Sequence, residues 1–328
     1  GGAELHPCGR SHLVFRLDLH GAPRLAIKLF GPRRGGTDGD PMRERAVHAL
    51  VGSLPELAAL LAQARPHAGP DWLLAQDWFA GSPTWIGDAL IRGEGDGVEE
   101  LDALAADFLP ALSRLHRSTA QLRQSQPAHP AWTALQGPAP WVLRLFDGDG
   151  PAELWAYPNI AVALREAASR PRLLQGIRRA RGAWRPRCLV HGDLKHDNLL
   201  RADDGRLALI DWEMARWGDP AWDLAGLLLR PLLSPSVERF DASAERAANS
   251  LLSHYLEGTR LPRAALAQRL LLYSGAWLLM SLIQAESVAA SDAQARQRLL
   301  SLAEDCLARA DHETASASTT KEDLDHAA

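Results

Sequence analysis

Two stretches near the start of the chain alternate apolar and polar positions. Leu13, Phe15, Leu17 and Leu19 fall on one face of the first, and Leu25, Ile27 and Leu29 on one face of the second. A period of two marks a half-buried strand. Gly21-Ala22-Pro23 separates them, so the pair reads as a β-hairpin whose second strand spans 24–30. Lys28 lies on the opposite face of that strand. Asp40-Pro41 then opens a helix running to about Val51, with Asp as N-cap and Pro in the first turn. Its one carboxylate is Glu44. Trp72 to Ala75 reads as another strand, followed by Gln76-Asp77-Trp78-Phe79-Ala80-Gly81.

Beyond Gly81 the period lengthens. Leu101, Leu104, Phe108, Leu112 and Leu115 recur at helical spacing within 101–118. An Arg-rich helical pattern covers 164–181, inside a region (121–184) rich in Pro, Gly and Trp, including Trp132, Trp141 and Trp155. Gly218-Asp219-Pro220 starts a further helix, and others are expected over 237–257, 262–289 and 292–310. The longest apolar run, Leu270 to Ile283, is too short to span a bilayer and carries Ser274 and Ser281, so it reads as a buried helix. The tail from His312 to Ala328 is rich in Ser, Thr and Asp without apolar periodicity, and the expectation there is disorder. No internal repeat is visible.

The stretch from Cys188 to Trp212 breaks these regular patterns. Cys188-Leu189-Val190 leads into His191-Gly192-Asp193, and Asn198 follows Asp193 by five residues. Leu199-Leu200-Arg201 and Leu207-Ala208-Leu209-Ile210 flank Asp203-Asp204-Gly205, a strong hairpin signal. Such a hairpin brings Asn198 and Asp211 together, with Asp193 on the loop just ahead. Two carboxylates and an amide in one small space suit phosphoryl transfer. Asp211 and Asn198 offer hard oxygens to Mg²⁺, and Asp193 can take the proton of an attacking hydroxyl. The order H-x-D-L-x-x-x-N followed by a strand-end Asp is the catalytic set of kinases.

With 328 residues and 46% hydrophobic composition, the chain suits one bilobed unit with an ample core. A net charge of −4 with mixed signs offers no nucleic-acid surface, and Arg178-Arg179-Ala180-Arg181 reads as a solvated helix face. Cys8, Cys188 and Cys306 are far apart and suggest no disulfide framework, so a reducing, cytoplasmic setting is expected. No basic-then-apolar signal opens the chain, no membrane association is expected, and Gly1-Gly2 without Met fits a trimmed start. The Gly35-Gly36-Thr37 cluster lacks the Lys of a P-loop, and no His pair has the spacing of a zinc site.

The HGDLKHDN loop, the Ile210-Asp211-Trp212-Glu213 segment and Trp222-Asp223-Leu224-Ala225 resemble the aminoglycoside phosphotransferase/choline kinase family of small-molecule kinases. The likeness extends from about Gly9 to Ala310. Protein kinases usually carry Arg where this chain has Gly192, and Gly where it has Glu213. The missing Arg argues against control by activation-loop phosphorylation.

The resemblance implies an α+β, protein-kinase-like bilobed fold. A small β-rich N-lobe (1–80) would bind nucleotide. A larger, mostly helical C-lobe (81–311) would hold the catalytic loop, metal and acceptor site. It further implies transfer of the γ-phosphate of ATP or GTP, with Mg²⁺, to a hydroxyl of a small-molecule acceptor such as an aminoglycoside, amino alcohol or sugar. Asp193 would be the base, Lys195 would touch the γ-phosphate, and His191 would brace the loop. Asn198 and Asp211 would hold metal. Lys28, as in the V-A-I-K pattern, would hold the phosphates and be positioned by Glu44. Ser11, within Cys8 to His12, would lie in the loop over the phosphates. The backbone near Asp77 to Phe79 would read the purine, and Asp223 would hold the catalytic loop. Two other readings stand beside this one: a Ser/Thr kinase acting on a peptide in natural-product tailoring, and a nucleotide-binding pseudokinase. Neither the acceptor nor the oligomeric state is legible.

Overall fold

The structure is a computed structural model. It describes residues 3–7, 13–19, 24–29, 40–50, 53–61, 73–83, 98–148, 150–234, 237–257, 259, 261–288 and 291–325.

Strands β1 (Ala3–Pro7), β2 (Leu13–Leu19), β3 (Leu25–Leu29) and β4 (Leu73–Asp77) form an antiparallel sheet in that order. Leu13, Phe15 and Leu17 register on Leu29, Ile27 and Leu25, so the two apolar rows share a face. Burial is deepest on the other face. Ala26 and Lys28 are buried, while Leu25, Ile27 and Leu29 are half-buried. The reason is helix α1 (Pro41–Leu50), whose Glu44 meets Lys28 there. Asp40 accepts the Met42 N–H through its side chain at 3.0 Å, the expected N-cap. Its own N–H donates to Glu213 O at 2.9 Å, which ties the start of α1 to the second lobe. A short helix, α2 (Pro55–Leu60), buries Leu57 and Leu60.

Strand β5 (Gly81–Pro83) leads to α3 (Val98–Ser125), which extends the predicted 101–118 at both ends. Its five periodic residues are all buried. Helices α4 (Ala131–Leu135) and α5 (Trp141–Arg144) follow. The single Arg-rich pattern over 164–181 proves to be two helices, α6 (Pro158–Ala168) and α7 (Pro171–Gly182). Pro171 cannot continue a helix but starts one well, so the chain breaks at Ser169-Arg170. On α7, Arg178 and Arg181 pair with Asp147 and Arg179 pairs with Asp311, so this face is largely neutralised.

Strands β6 (Cys188–Val190) and β9 (Arg216–Gly218) pair, while β7 (Leu199–Ala202) and β8 (Leu207–Leu209) form the predicted hairpin with Leu199 opposite Leu209. Strand β5 adds to the edge of β7. Helix α8 (Pro220–Leu232) starts as expected, with the Asp219 side chain accepting the Ala221 N–H. Helices α9 (Ala242–Leu256), α10 (Arg263–Val288) and α11 (Ala293–Asp325) complete the lobe.

The buried-helix reading of Leu270–Ile283 holds, though its helix is longer than the apolar run, while the reading of the tail changes. Helix α10 holds the Leu270–Ile283 run within 26 residues, so by length and composition it could cross a membrane. Its apolar stretch is 83% buried inside the protein, as a core helix would be. Helix α11 runs to Asp325, beyond the expected end at Ala310 and through most of the tail read as disordered. Residues 311–325 contain neither Gly nor Pro to stop it. The core of the helical lobe is Leu-rich and closes around the nearly inaccessible Trp132, Trp212, Trp222 and Trp277.

Candidate active site

The loop after β6 hangs from helix α8. Asp223 accepts the backbone N–H of His191 at 2.8 Å and of Gly192 at 3.0 Å. The Trp222 indole N–H donates to Gly192 O at 2.9 Å. Gly192 has φ of 84°, and a Cβ there would lie 2.2 Å from Met214 O. Only glycine fits that backbone and that approach. His191 Nε2 lies 2.9 Å from Ile210 O. A carbonyl only accepts, so Nε2 carries the proton and Nδ1 accepts the Asp193 N–H at 3.3 Å. His191 therefore spans from the loop to the end of the β8 strand.

Asp193 is held from one side. Lys195 Nζ is 2.9 Å and Asn198 Nδ2 is 3.0 Å from its Oδ2, and Asn198 Nδ2 is also 2.8 Å from its backbone oxygen. Both side-chain contacts fall on Oδ2, leaving Oδ1 as the oxygen neither of them uses. Burial pushes the Asp193 carboxyl above its ordinary pKa; Lys195 pulls against that shift and Asp211 adds to it. Burial opposes the Lys195 charge, but Asp193, with Asp211 and Asp197 behind it, reverses this and holds the lysine above its ordinary value.

Across the cleft, Lys28 meets three carboxylates. Its Nζ is 2.8 Å from Glu44 Oε2 and 3.4 Å from Glu213 Oε2, and it also pairs with Asp211 Oδ1. Burial alone would strip charge from Lys28; Glu44 first, then Asp211 and Glu213, reverse this and raise its pKa. Burial pushes Glu44 up, with Lys28 pulling it down. Asp211 has φ of 68°, the one non-glycine positive φ among the described residues. Asp tolerates this left-handed region better than most residues. The Ile210 N–H donates to Asn198 O at 3.0 Å, which draws the start of β7 and the end of β8 together as the hairpin pattern predicts.

The other predicted residues lie apart from this cluster. Asp77 registers on Leu25, and the Trp78 N–H donates to Arg24 O at 2.9 Å. The Phe79 ring packs on Gly81, and the Arg206 guanidinium carbon stands 5.7 Å from its centroid. Lys28 lies farther along the sheet, opposite Leu74. Ser11 and the Cys8–His12 loop fall outside the described residues. Sequence reasoning missed Glu213, noting it only as a departure from the kinase glycine; its acidity two residues after Asp211 was the available signal. It also missed the partners of His116, near the end of the 101–118 helix.

Among the described residues, no three His, Cys, Asp or Glu side chains form a ready-made metal cage. Mg²⁺ commonly takes one or two protein oxygens and completes its shell with phosphates and water. One carboxylate on a strained backbone beside one amide fits that demand. A cavity of about 350 Å³ lined by Leu60, Asp107, Phe108, Ala111, Gly205 and Leu207 includes none of the site residues.

Residues 9–264 match the phosphotransferase enzyme family. The fold is similar to that of an ethanolamine kinase from Plasmodium vivax, with a TM-score of 0.56 and 15% identity over 92% of this chain and 82% of that one. A choline/ethanolamine kinase family protein from Mesorhizobium loti superposes with a TM-score of 0.51 and 19% identity, covering 95% of this chain and 88% of that one. An amicoumacin kinase in complex with AMP-PNP, Ca²⁺ and Ami gives a TM-score of 0.55 and 14% identity, over 93% of this chain and 88% of that one. At such identities the likeness concerns the fold, which is the kinase-like, two-lobed one.

Proposed function

The chain belongs to the phosphotransferase enzyme family, and we propose that it moves the γ-phosphate of ATP, or GTP, to a hydroxyl of a small molecule of the aminoglycoside, amino alcohol or sugar-like class. One observation carries this reading. Lys195 and Asn198 both engage Oδ2 of Asp193, so a half-buried carboxylate of raised pKa keeps a second oxygen for an acceptor hydroxyl. The acceptor oxygen attacks the γ-phosphorus, its proton passes to Asp193 Oδ1, and the bond to the β-phosphate bridging oxygen breaks to release the nucleoside diphosphate.

Lys28 would exchange a carboxylate contact for phosphate oxygens, while Glu44 keeps it in place. Lys195 would lie beside the transferring group. Asp211 and Asn198 would hold Mg²⁺, whose contribution when bound is to neutralise phosphate charge. The Phe79 N–H and the neighbouring backbone would read the purine, and Ser11 would lie over the phosphates. The ligands bound to the amicoumacin kinase, AMP-PNP and Ca²⁺, support nucleotide-with-cation use.

The test is nucleotide consumption, with ATP and GTP, against aminoglycosides, amino alcohols, sugars, nucleosides and Ser/Thr peptides. Phosphorylation of a small-molecule hydroxyl supports the proposal. Transfer to peptide alone, or a Mg²⁺-dependent nucleotide shift in Tm without any turnover, overturns it.

A further inference from the structure

Beneath the catalytic loop lies a buried polar chain that the proposed chemistry does not use. Asp223, His116 and Tyr255 are at most 3% exposed and come from helices α8, α3 and α9. Buried polar groups are costly unless each finds a partner. Here each does. His116 Nε2 is 3.3 Å from Asp223 Oδ2, and His116 Nδ1 is 2.9 Å from the Tyr255 hydroxyl oxygen.

The direction of these bonds follows from the acceptors. Asp223 already accepts two backbone N–H groups of the loop, and an ionised carboxylate can only accept. His116 Nε2 therefore carries a proton. In the neutral ring Nδ1 is then an acceptor, and the Tyr255 O–H donates to it. Burial first, and the neighbouring Cys188 and Asp223 next, push the Tyr255 hydroxyl well above its ordinary pKa, so it stays a donor. One turn along α3, Thr119 Oγ1 accepts the Leu189 N–H at 3.1 Å and donates to His116 O at 3.0 Å. Helix α3 thus grips both the strand ahead of the loop and the carboxylate that holds the loop.

We infer that His116 and Tyr255 are positioning residues for Asp193, acting through Asp223 on the backbone of His191 and Gly192. This rests on the reading of Asp193 as the base. The route to Asp193 is short. Its own N–H donates to His191 Nδ1, so slack at the His191 and Gly192 amides moves the carboxylate. Small misplacements of a reacting group are costly in rate without changing nucleotide affinity. Tyr255 is the far end of the chain, and its hydroxyl decides which His116 nitrogen faces Asp223.

Tyr255→Phe keeps the ring and removes only the hydroxyl. It should lower kcat roughly three- to tenfold, as expected for one hydrogen bond of ordinary net strength, and leave the nucleotide KM unchanged. Hydrogen exchange at the His191 and Gly192 amides should quicken. The side-chain amide of Gln can reach where His116 Nε2 stands, and that of Asn cannot, so His116→Gln should keep most of the turnover and His116→Asn should not. Nitrogen-15 shifts of His116 in the unaltered protein should report the Nε2–H tautomer.

Unchanged exchange at both amides in Tyr255→Phe, equal rescue by Gln and Asn, or an Nδ1–H tautomer would overturn the inference. Amide exchange and nitrogen-15 shifts need no turnover. If no acceptor is ever phosphorylated, the base reading fails on its own, and those two measurements still decide whether Tyr255 and His116 hold the loop.

Discussion

Lys28 Nζ lies 2.8 Å from Glu44 Oε2, and both side chains are all but closed to solvent, at 6% and 1% exposure. A buried ion pair is tolerated only while both partners are present. Removing one leaves an uncompensated charge, typically at a cost of about 3–5 kcal/mol. The pair joins β3 to α1, so it links the sheet to the helix that docks on Glu213.

Lys28→Ala and Glu44→Ala should therefore be non-additive. Both changes break the same Lys28–Glu44 pair, and Lys28→Ala also removes the contacts with Asp211 and Glu213. Turnover of the double variant should lie within about twofold of Lys28→Ala alone, and its loss of Tm should be smaller than the sum of the single losses. Losses that simply multiply would show that Glu44 acts elsewhere.

Asp211→Asn separates binding from folding. The left-handed backbone at φ 68° suits Asn nearly as well as Asp, so the variant should fold with little change in Tm. It loses the carboxylate, the strongest hard-oxygen donor at this position. Calorimetric titration with Mg·ATP should show weaker binding. Unchanged affinity in a folded variant would remove Asp211 from the cation site.

Gly192→Ala should fail for the opposite reason. The backbone at φ 84° costs an L-residue about 1–2 kcal/mol, and the new Cβ meets Met214 O, a backbone atom that cannot swing aside. A fall in Tm together with loss of turnover is expected. A variant with unaltered Tm would show that the 212–214 segment yields easily.

The site was legible where its residues are close in sequence. Asp193, Lys195 and Asn198 sit within six residues, and the Asp-Gly turn brings Asp211 back to Asn198 by a local hairpin. Lys28 and Glu44 could be named through the kinase resemblance, once the strand and helix patterns had placed each on its element. The rest depended on tertiary contact. Strand β1 alternates over only five residues, Ala3 to Pro7, too few to stand out until it pairs with β2. His116 and Tyr255 look like ordinary helix residues until α3 and α9 pack beside α8. Glu213 meets Lys28 across the two lobes, two residues past the left-handed backbone of Asp211.

The last prediction concerns Asp193→Asn. Asn keeps the shape and the acceptor for Lys195 but cannot take a proton. General-base help is worth ~10²–10⁴-fold in rate, so turnover should fall by about that factor with Mg·ATP affinity nearly unchanged. The pH dependence has a definite sign. Burial raises the Asp193 carboxyl above its ordinary value, and only the ionised form is a base. The acid limb of kcat/KM in the unaltered enzyme should thus lie above the ordinary aspartate pKa of about 3.9, with activity falling as pH falls through the raised value.

Stability carries the opposite signature. The folded state binds this proton more tightly than the unfolded one, so ionised Asp193 destabilises the fold fully above its folded pKa and not at all below its unfolded pKa. Asp193→Asn should raise Tm at neutral pH, and the gain should fade on acidification across that window. If Asp193 only braced the loop, the substitution would instead lower Tm and weaken nucleotide binding together. Tm, nucleotide affinity and single-turnover rate on one preparation decide between them. A stable variant with normal affinity and normal turnover would sink the base assignment and, with it, the enzymatic reading of this loop.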